Sequence, residues 1–183
     1  MRKALATVIV VLAGLAPAPA EEIRFVGKSV MFSNYVIIRS LLDSRDHKSF
    51  VRAVRSVDLD QPLLKPGLIT VFAPTDAAFA DLSPKWKTKI IDSPRREAVA
   101  KLLACHIVAD PRFAGRKIAD LLKTTESLTF PTLGGCSLTV SRTPGGFALV
   151  DGAGRSSVIP HADIVQSNGM IQTGTAARAC SRW

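Results

Sequence analysis

Three histidines and three cysteines are the side chains of this sequence most able to perform catalysis or to bind a metal. A serine hydrolase needs a nucleophile, a base and an orienting acid, but the sequence has no Gly-x-Ser-x-Gly elbow and no supporting motif around His47, His106 or His161. Asp58 and Asp60 fit an exposed turn, and their spacing alone does not indicate glycosidase chemistry. We therefore predict no catalytic residues and expect that the protein is not an enzyme.

The cysteines and glycines give equally little indication of a metal or cofactor site. Cys105 and His106 are adjacent, so they point in different directions on a helix, and neither zinc-type spacing nor a haem Cys-x-x-Cys-His motif accompanies them. The sequence has no Cys-x-x-Cys pair for redox catalysis. Gly134-Gly135 and Gly145-Gly146 lack the strand-to-helix context of a phosphate-binding loop. The sequence predicts neither a metal nor a cofactor.

A change from strand chemistry to helix chemistry between Thr70 and Phe79 is the feature around which the other elements can be placed. The apolar, β-branched run at residues 68–72 predicts a strand buried on both faces. Pro74 ends this strand because it has no backbone N–H to donate. Thr75 or Asp76 can then cap a short helix that turns Phe79 back toward the core.

Helices are predicted on both sides of this stretch. Residues 35–42 form a short apolar run that is compatible with a strand or a helix. Asp46 is placed to cap a helix that carries four apolar residues on one face: Phe50, Val51, Val54 and Val57. This helix is expected to pack under the strand at residues 68–72.

Ser83-Pro84 and Ser93-Pro94 each combine a capping hydroxyl with proline at the first helical position, which predicts two further helices. In the second of these helices, an apolar face is formed by Val99, Leu102, Leu103 and His106. We interpret His106 as a core histidine whose ring nitrogens bond to the backbone, in preference to a metal ligand or a catalytic base.

Short strands separated by turn sequences are predicted in the second half of the chain, at residues 138–140, 147–150, 157–159, 163–165 and 170–172. Residues 143–146 and 151–154 supply glycines for hairpin turns. Because the helices come early and the strands late, the sequence predicts an α+β fold.

Three segments resemble the boxes of the fasciclin (FAS1) domain family: Thr70-Val71-Phe72-Ala73-Pro74-Thr75-Asp76-Ala77-Ala78-Phe79, Leu102-Leu103-Ala104-Cys105-His106-Ile107-Val108 and Ser167-Asn168-Gly169-Met170-Ile171. The resemblance covers roughly residues 33–172. It implies a fasciclin-like α+β fold in which helices pack against a β-sandwich-like pair of short antiparallel sheets. It also implies that a set of motif residues determines the fold: Thr70, Phe72, Pro74, Thr75, Asp76, Phe79, His106, Asn168 and Gly169.

The chain departs from the family pattern at two places. Cys105 replaces the aromatic residue often found before the second-box histidine, so adhesion determinants assigned to that aromatic do not carry over. Gln172-Thr173-Gly174-Thr175 replaces the histidine and aliphatic strand often found after the third box. We therefore expect the last strand to be short or altered.

The N-terminal residues predict export. Arg2 and Lys3 precede an apolar stretch, and Ala18-Pro19-Ala20 supplies the small residues that a signal peptidase accepts. The apolar run is shorter than the ~20 residues needed to span a bilayer. We assign residues 1–20 to a signal peptide cleaved near Ala20, 21–32 to a lead-in, 33–175 to the FAS1 domain and 176–183 to a tail. The mature chain is expected to be secreted or periplasmic, without a transmembrane anchor.

One disulfide bond is predicted from the cysteine count of an exported chain. Cys105 lies on the predicted helix beside His106 and fits a small buried group. Cys136 precedes a strand and Cys180 lies in a polar tail, so we predict a Cys136–Cys180 bond. The alternatives are three reduced thiols or an intermolecular bond through Cys180.

The charge of the chain limits the choice of partners. The sequence has 24 basic and 15 acidic residues, and removing Arg2 and Lys3 with the signal peptide leaves a net charge of about +7. The simpler explanation of this basic excess is a charged surface exposed to solvent. The more specific explanation is attraction to acidic envelope polymers or anionic lipid headgroups. Nucleic acid is not expected, because the chain is exported, has few aromatics and contains no nucleic-acid-binding motif.

Adhesion is the function that the family resemblance implies. We expect a non-enzymatic adhesion or cell-envelope interaction module whose partner is a cell-surface or envelope protein or an acidic glycan. The alternative is a periplasmic carrier that binds a small or lipid-like ligand between helices and sheet. A large apolar pocket between the helix around Leu102 and the strands after Leu138 would support the carrier, and a filled core would count against it.

Overall fold

A computed structural model describes residues 21–82, 84, 88 and 96–174. The predicted signal peptide, the predicted caps Ser83 and Ser93, and the predicted tail lie outside these residues. The helices are α1 Ile37–Asp43, α2 Lys48–Ser56, α3 Gln61–Leu64, α4 Asp76–Ala80, α5 Arg96–Ala104 and α6 Ile118–Leu121. The strands are β1 Ile23–Val26, β2 Ser29–Phe32, β3 Ile69–Pro74, β4 Ile107–Val108, β5 Ser127–Pro131, β6 Ser137–Thr143, β7 Gly146–Asp151, β8 Ser156–Ile159, β9 Ile164–Gln166 and β10 Gly169–Gly174.

Two four-stranded sheets form the β part of the fold, and a separate β1–β2 hairpin precedes them. One sheet has the order β4-β3-β10-β9 and the other has the order β5-β6-β7-β8. The second sheet is antiparallel throughout. In the first sheet, β3 and β10 are parallel, while their outer neighbours are antiparallel to them. The predicted α+β architecture is confirmed, with a mixed sheet in place of one of the two antiparallel sheets.

Two cores lie on opposite sides of β3. Val71 and Ala73 join the core that β3 shares with the helices, together with Phe50 of α2 and Leu103 of α5. Phe72 points the other way, into the core enclosed by the second sheet. This alternation follows from the two-residue period of a strand. The strand is therefore buried on both faces, as its apolar composition predicted.

The last strand, β10, is six residues long and buried along its whole length, so the expectation of a short or altered strand is wrong. It runs beside β3 from the Gly169–Ile69 pair to the Gly174–Pro74 pair. Polar side chains of β10 can be buried because they form hydrogen bonds. Gln172 accepts a hydrogen bond from the Asp163 amide at 2.7 Å and donates to the Asp163 carboxylate at 3.1 Å. Buried polar groups of this kind are tolerated when hydrogen-bonded.

The helical region before β3 differs from expectation at Leu68. Residues 37–43 form α1, which settles the strand-or-helix ambiguity in favour of helix. The predicted apolar face of α2 is confirmed, since Phe50, Val51 and Val54 are buried. Leu68 was expected in the buried strand, but it lies before Ile69 and is 64% exposed. Pro66 and Gly67 are also exposed, and the strand begins after Leu68.

The β1–β2 hairpin packs one face against the helical core. Val26 and Met31 are buried on this face. Strand pairing places Ile23 opposite Phe32 and Phe25 opposite Val30 on the other face. No helix within residues 21–82 and 96–174 is both long and apolar enough to cross a bilayer.

Candidate functional site

The apolar motif residues of β3 and α4 lie in the interior. Phe72 is buried with its ring centroid 6.1 Å from that of Phe130. Thr70 is buried, and its hydroxyl accepts a hydrogen bond from the Gly115 amide at 3.3 Å. Pro74 is the last residue of β3, and Phe79 is buried on α4. These side chains are placed to pack the fold and not to contact a ligand.

Thr75 and Asp76 cap two different helices. The Thr75 hydroxyl accepts a hydrogen bond from the Ala78 amide at 3.3 Å, which makes Thr75 the N-cap of α4. The Asp76 carboxylate accepts hydrogen bonds from the amides of Ser49 at 2.7 Å and Lys48 at 3.2 Å, at the start of α2. One motif therefore begins its own helix and also fixes the N-terminus of the preceding one.

Asp46 does not cap α2, so that prediction is wrong. The N-cap is His47, which makes no side-chain capping bond. Asp46 instead accepts a hydrogen bond from the Lys28 amide at 2.7 Å, and its carboxylate lies 3.4 Å from the Ser29 hydroxyl. Tertiary contacts explain the difference. The Asp46 carboxylate binds the Lys28 amide of the β1–β2 turn, and the Asp76 carboxylate binds the Lys48 and Ser49 amides of α2.

The environment of Asp76 lowers the pKa of its carboxyl group. Partial burial alone would raise the pKa of Asp76, but hydrogen bonds from Ser49 and Lys48 and the proximity of His47 outweigh it, so the pKa lies below its ordinary value. The carboxylate is therefore ionised at neutral pH, which suits the positive end of α2.

His106 is a buried histidine at the end of α5, as predicted. It is 1% exposed, its Nδ1 lies 3.3 Å from the Leu102 carbonyl, and its ring packs 5.9 Å from that of Phe50. A carbonyl only accepts, so Nδ1 carries the proton. Nε2 has no partner among the described residues, so only one of the two predicted backbone bonds forms. Burial lowers the pKa of His106 to about 4 against the raising effect of the hydrogen bonds, and the ring is neutral.

The Asn168 side chain connects the β9–β10 turn to α1 and α3. Its side-chain oxygen accepts a hydrogen bond from the Ile37 amide at 2.8 Å, at the start of α1. Its side-chain nitrogen donates to the carbonyls of Leu63 at 3.0 Å and Lys65 at 3.1 Å, at the end of α3. The next residue, Gly169, has a φ of 146°, and a Cβ there would lie 1.9 Å from the Ile69 carbonyl oxygen. Asn168 and Gly169 therefore fix both the helices and the close approach of β10 to β3.

The disulfide bond joins Cys105 and Cys136, so the predicted Cys136–Cys180 pairing is wrong. The turn before β6 lies on the end of α5, where Gly134 donates a hydrogen bond to the Ala104 carbonyl at 3.1 Å. A Cβ on Gly134 would lie 2.5 Å from the Cys105 sulfur, so only glycine allows this approach. Cys180 lies outside the described residues. The sequence signal that was missed is Gly134-Gly135 directly before Cys136, which marks a close backbone approach.

A small cleft lies where the hairpin turn, the start of α2, the start of α4 and the β8–β9 connection meet. Its volume is about 220 Å³ and it is lined by Val26, Gly27, Asp46, His47, Thr75, Asp76, Ala77, Pro160, His161 and Thr173. The sequence analysis did not group these residues, because they come from five separate segments. A local pattern indicated Thr75, Asp76 and Asp46 singly, as helix caps, but not that they share a cleft.

His47 is one of the residues that line this cleft, although it is fully buried. Its Nδ1 is 2.7 Å from the Ser44 hydroxyl, which is in turn 3.0 Å from the Ser29 hydroxyl. Burial lowers the pKa of His47; the carboxylates of Asp46 and Asp76 oppose this, and His161 adds to it. The net shift is downward, so His47 is neutral at pH 7.

The Ser44–His47 contact has the distance of a nucleophile–base pair, but the surrounding geometry does not serve hydrolysis. Both residues have no exposed surface, so a substrate could not reach the hydroxyl. Asp46 is hydrogen-bonded to the hairpin, and Nε2 of His47 has no hydrogen-bond partner among the described residues, so no acid orients the imidazole directly. Within the described part of the chain, no group of three or more His, Cys, Asp or Glu residues is placed to hold a metal ion.

An open groove of about 690 Å³ runs between the loop after α6 and the β6–β7 turn. Its lining includes Lys123, Glu126 and Arg142. The Arg142 guanidinium is held in place, because it donates to the Ala119 carbonyl at 3.4 Å and lies 5.5 Å from the Phe147 ring centroid. Lys123 forms an exposed ion pair with Asp120 at 2.7 Å. Arg142 therefore presents a fixed positive charge in this groove, while Lys123 is paired with Asp120 and Glu126 adds a negative charge.

Comparison with known proteins gives one family and two sequence relatives. The family model described as Fasciclin domain matches residues 45–173. Uncharacterized protein sll1735 of Synechocystis sp. is 36% identical over 73 residues, which are 40% of this chain and 53% of that protein. Protein sll1483 of the same organism is 28% identical over 154 residues, which are 82% of this chain and 77% of that protein. The chain thus spans about half the length of the first relative.

Among solved structures, a FAS1 domain pair from the insect cell adhesion molecule fasciclin I has a similar fold. The TM-score is 0.52 at 17% sequence identity, and the match covers 72% of this chain and 44% of that chain. At this identity the similarity concerns the fold alone.

Proposed function

This chain belongs to the fasciclin domain family, and from that premise we propose that it is an exported, non-enzymatic adhesion module that contacts a partner at the cell envelope. The observation that carries the proposal is the family match over residues 45–173, which includes the second core and most of the helical core. A similar fold occurs in an insect cell adhesion molecule, so this architecture is one that an adhesion protein uses. The motif residues are assigned to the fold and not to the contact surface.

The partner we propose is an envelope protein or an acidic glycan. The basic excess of the chain supports an acidic partner. Within the described residues, the groove with Lys123 and Arg142 is a suitable contact surface, because Arg142 is pre-positioned by its bond to Ala119 and loses little freedom on binding.

The part of the interior formed by the described residues gives no support to the carrier alternative. The space between α5 and the second sheet is filled by buried side chains, including Phe72, Phe130, Leu138 and Val140. A carrier of apolar ligands needs a cavity of several hundred Å³ in such a place. We therefore do not propose a second function.

The partner is tested by binding the chain from Glu21 to Trp183 to an envelope fraction of its own host cell while salt is raised to about 0.5 M, where exposed charges are screened. The variant pair is Lys123→Gln with Arg142→Gln, and the charge-matched control is Arg52→Gln with Arg55→Gln on exposed positions of α2. We expect saturable binding that survives salt and is weakened several-fold by the groove variant only. Binding that disappears with salt, and that both variants weaken equally, would leave nonspecific charge as the explanation and refute the proposal.

Export and lack of catalysis are tested separately. N-terminal sequencing of protein recovered from the periplasm or the medium is expected to begin at Glu21. An intact Met1 on cytoplasmic protein contradicts export. Turnover of generic esters or glycosides that a single substitution abolishes contradicts the non-enzymatic assignment.

A further inference from the structure

The small cleft between the hairpin turn and the starts of α2 and α4 contains two imidazole rings, so we call it the histidine cleft. The rings belong to His47 and His161. The described residues that line it also include the carboxylates of Asp46 and Asp76 but no lysine or arginine. Neighbouring acids alone do not make a binding site, because water can solvate them. The buried His47 ring is the feature that indicates a ligand.

A chain of hydrogen bonds fixes which ring nitrogen of His47 carries the proton. Nδ1 lies 2.7 Å from the Ser44 hydroxyl, which lies 3.0 Å from the Ser29 hydroxyl. The Ser29 hydroxyl in turn lies 3.4 Å from the Asp46 carboxylate. Each hydroxyl has one proton to donate, and the carboxylate at the end of the chain can only accept. All three contacts are hydrogen bonds at once only if each proton points along the chain from His47 toward Asp46, so Nδ1 is the protonated nitrogen.

Nε2 of His47 is therefore an unprotonated nitrogen with a lone pair, because burial lowers the pKa of His47 and the neutral ring has only one proton. The side chain is 0% exposed, and Nε2 has no hydrogen-bond partner within residues 21–82 and 96–174. Since Nδ1 is turned toward Ser44, which does not line the cleft, the ring edge with Nε2 faces the cleft. A buried acceptor without a donor costs free energy, and a ligand with an N–H group removes that cost.

The two carboxylates of the histidine cleft supply further acceptors. The Lys28 amide and the Ser29 hydroxyl both contact Oδ2 of Asp46, which leaves Oδ1 without a hydrogen bond in the described part of the chain. Asp76 accepts one backbone amide at each oxygen, and each carboxylate oxygen has a second lone pair. The cleft thus offers acceptors on both carboxylates and on Nε2 of His47. A ligand group with several N–H donors and no acceptor complements this set.

The cations near the histidine cleft do not occupy it. Lys28, Arg45 and Lys48 are exposed and adjacent in sequence to lining residues, but none of them lines the cleft. The Lys48 ammonium group donates to the carbonyl of Leu42, which lies outside the cleft wall, at 2.7 Å. These cations offset the two carboxylates at long range. Binding of a cation therefore depends on direct contact with the carboxylates and Nε2.

We propose that the histidine cleft binds a small primary ammonium compound, whose ammonium group donates to Nε2 of His47 and to the two carboxylates. An ammonium group has three donors and no acceptor, and its hydrogen bonds to carboxylates are stronger than those between neutral groups. Val26, Ala77 and Pro160 provide an apolar part of the wall for a short alkyl chain. The volume of about 220 Å³ is below that of pockets for drug-sized ligands, so the ligand is small.

Access to Nε2 requires a small movement of the wall, because the His47 ring has no exposed surface without a ligand. His161 is the residue placed to move. Its backbone is fixed to Thr173 by hydrogen bonds of 3.1 and 2.9 Å, but its ring is half-buried and makes no hydrogen bond to another described residue. We therefore expect the His161 ring to turn when the ammonium group enters. This site is separate from the groove proposed for the envelope partner and does not depend on it.

The test is an NMR titration of the isotope-labelled chain from Glu21 to Trp183, which contains both cores, at pH 7 and constant ionic strength. The probe is the n-propylammonium ion, and n-propanol and propionate are the neutral and anionic probes of similar size. Before titration, Nε2 of His47 should have the resonance of an unprotonated ring nitrogen. We expect propylammonium to shift this resonance and the Ala77 amide saturably, in the millimolar range. The other two probes should bind at least about tenfold more weakly, because they lack the charged donor.

A matched pair of variants on α4 locates the binding. Ala77→Leu places a larger side chain in the cleft wall, whereas Ala80→Leu makes the same change at an exposed position of α4 that does not line the cleft. Alanine and leucine are both good helix formers, so both variants should fold, and their melting temperatures check this. We expect Ala77→Leu to weaken propylammonium binding about tenfold or more by filling the cleft, and Ala80→Leu to leave it unchanged.

A protonated Nε2 in the free protein, or equal affinity for the three probes, overturns the proposal. Equal binding by the two variants also overturns it, because the ammonium ion would then lie on exposed acids elsewhere. The titration contains no envelope component, so its failure is distinct from failure of the proposed envelope partner.

Discussion

At the scale of single residues, Asp76 shows how far a local pattern can be read. The sequence correctly placed a cap at Thr75 or Asp76, because a hydroxyl and a carboxylate after Pro74 are typical of a helix start. It did not reveal that the Asp76 carboxylate caps α2, since Lys48 and Ser49 are distant in the sequence. The same limit explains the wrong role predicted for Asp46.

Replacing Asp76 with Ala is expected to lower the free energy of unfolding by about 1 to 2 kcal/mol, the usual cost of a lost cap. The pKa of Asp76 is depressed from 3.8 in the folded state, so its stabilisation is complete above that value and is lost as the pH falls through the folded pKa. Urea denaturation at pH 7 and pH 3 measures both effects. Asp76→Asn, which keeps the shape but not the charge, is the control. An Asp76→Ala variant as stable as the wild type at pH 7 would show that the cap is unimportant.

His106 is expected to make the domain less stable in acid. The unfolded histidine takes up a proton near pH 6.5, while the buried ring does so only near pH 4. Between these values the unfolded state binds more protons, so stability decreases by up to about 1.4 kcal/mol per pH unit as the pH falls.

The measurement is the urea midpoint of the wild type and of His106→Leu at pH 7.5, 6 and 5. We expect the variant to have the shallower dependence, so that the difference between the two proteins narrows in acid. His47, whose pKa is also lowered, keeps a slope of the same sign in both proteins. Parallel curves would mean that His106 is not buried and neutral.

At the scale of elements, the contact between α5 and the turn before β6 decides the disulfide bond. Cys105 and Cys136 are 31 residues apart, and their Cα atoms are 5.6 Å apart. The sequence indicated the helix and the strand, but not that the Gly134-Gly135 turn between them lies on the helix end. Pairing of cysteines depends on such contacts between elements, which hydrophobic periodicity does not encode.

Replacing Cys136 with Ser is expected to lower the free energy of unfolding by roughly 3 to 4 kcal/mol, because the Cys105–Cys136 loop no longer restricts the unfolded chain. Cys180→Ser is the matched control and should leave stability unchanged. Mass spectrometry of peptides digested without reduction should show Cys105 linked to Cys136. A peptide that links Cys136 to Cys180 would contradict this assignment.

At the scale of the whole molecule, β3 unites the two cores. Its neighbouring side chains Val71 and Phe72 point into different cores, so loss of this strand would open both. The fold class could be predicted from the order of helices and strands. The parallel pairing of β3 with β10 could not, because an apolar run gives no information on the direction of its partner.

We therefore expect the described domain to unfold as one cooperative unit. In calorimetry the measured enthalpy should equal the van't Hoff enthalpy, and Phe72→Leu should lower the midpoint temperature of a single transition. Val140→Ala, which opens a cavity in the second core alone, should lower the midpoint temperature of the same transition. Two separable transitions, of which Val140→Ala moves only one, would show that the cores are independent.

The pairing of Ile69 with Gly169 and of Pro74 with Gly174 has a consequence for the order in which the chain folds. Strand β10, an inner strand of the mixed sheet, is the last of the described strands to leave the ribosome. One edge of β3 is therefore unpaired at every earlier stage of synthesis. Contacts this distant in sequence are slow to form. A nascent chain therefore cannot complete its central sheet until residue 174 has emerged.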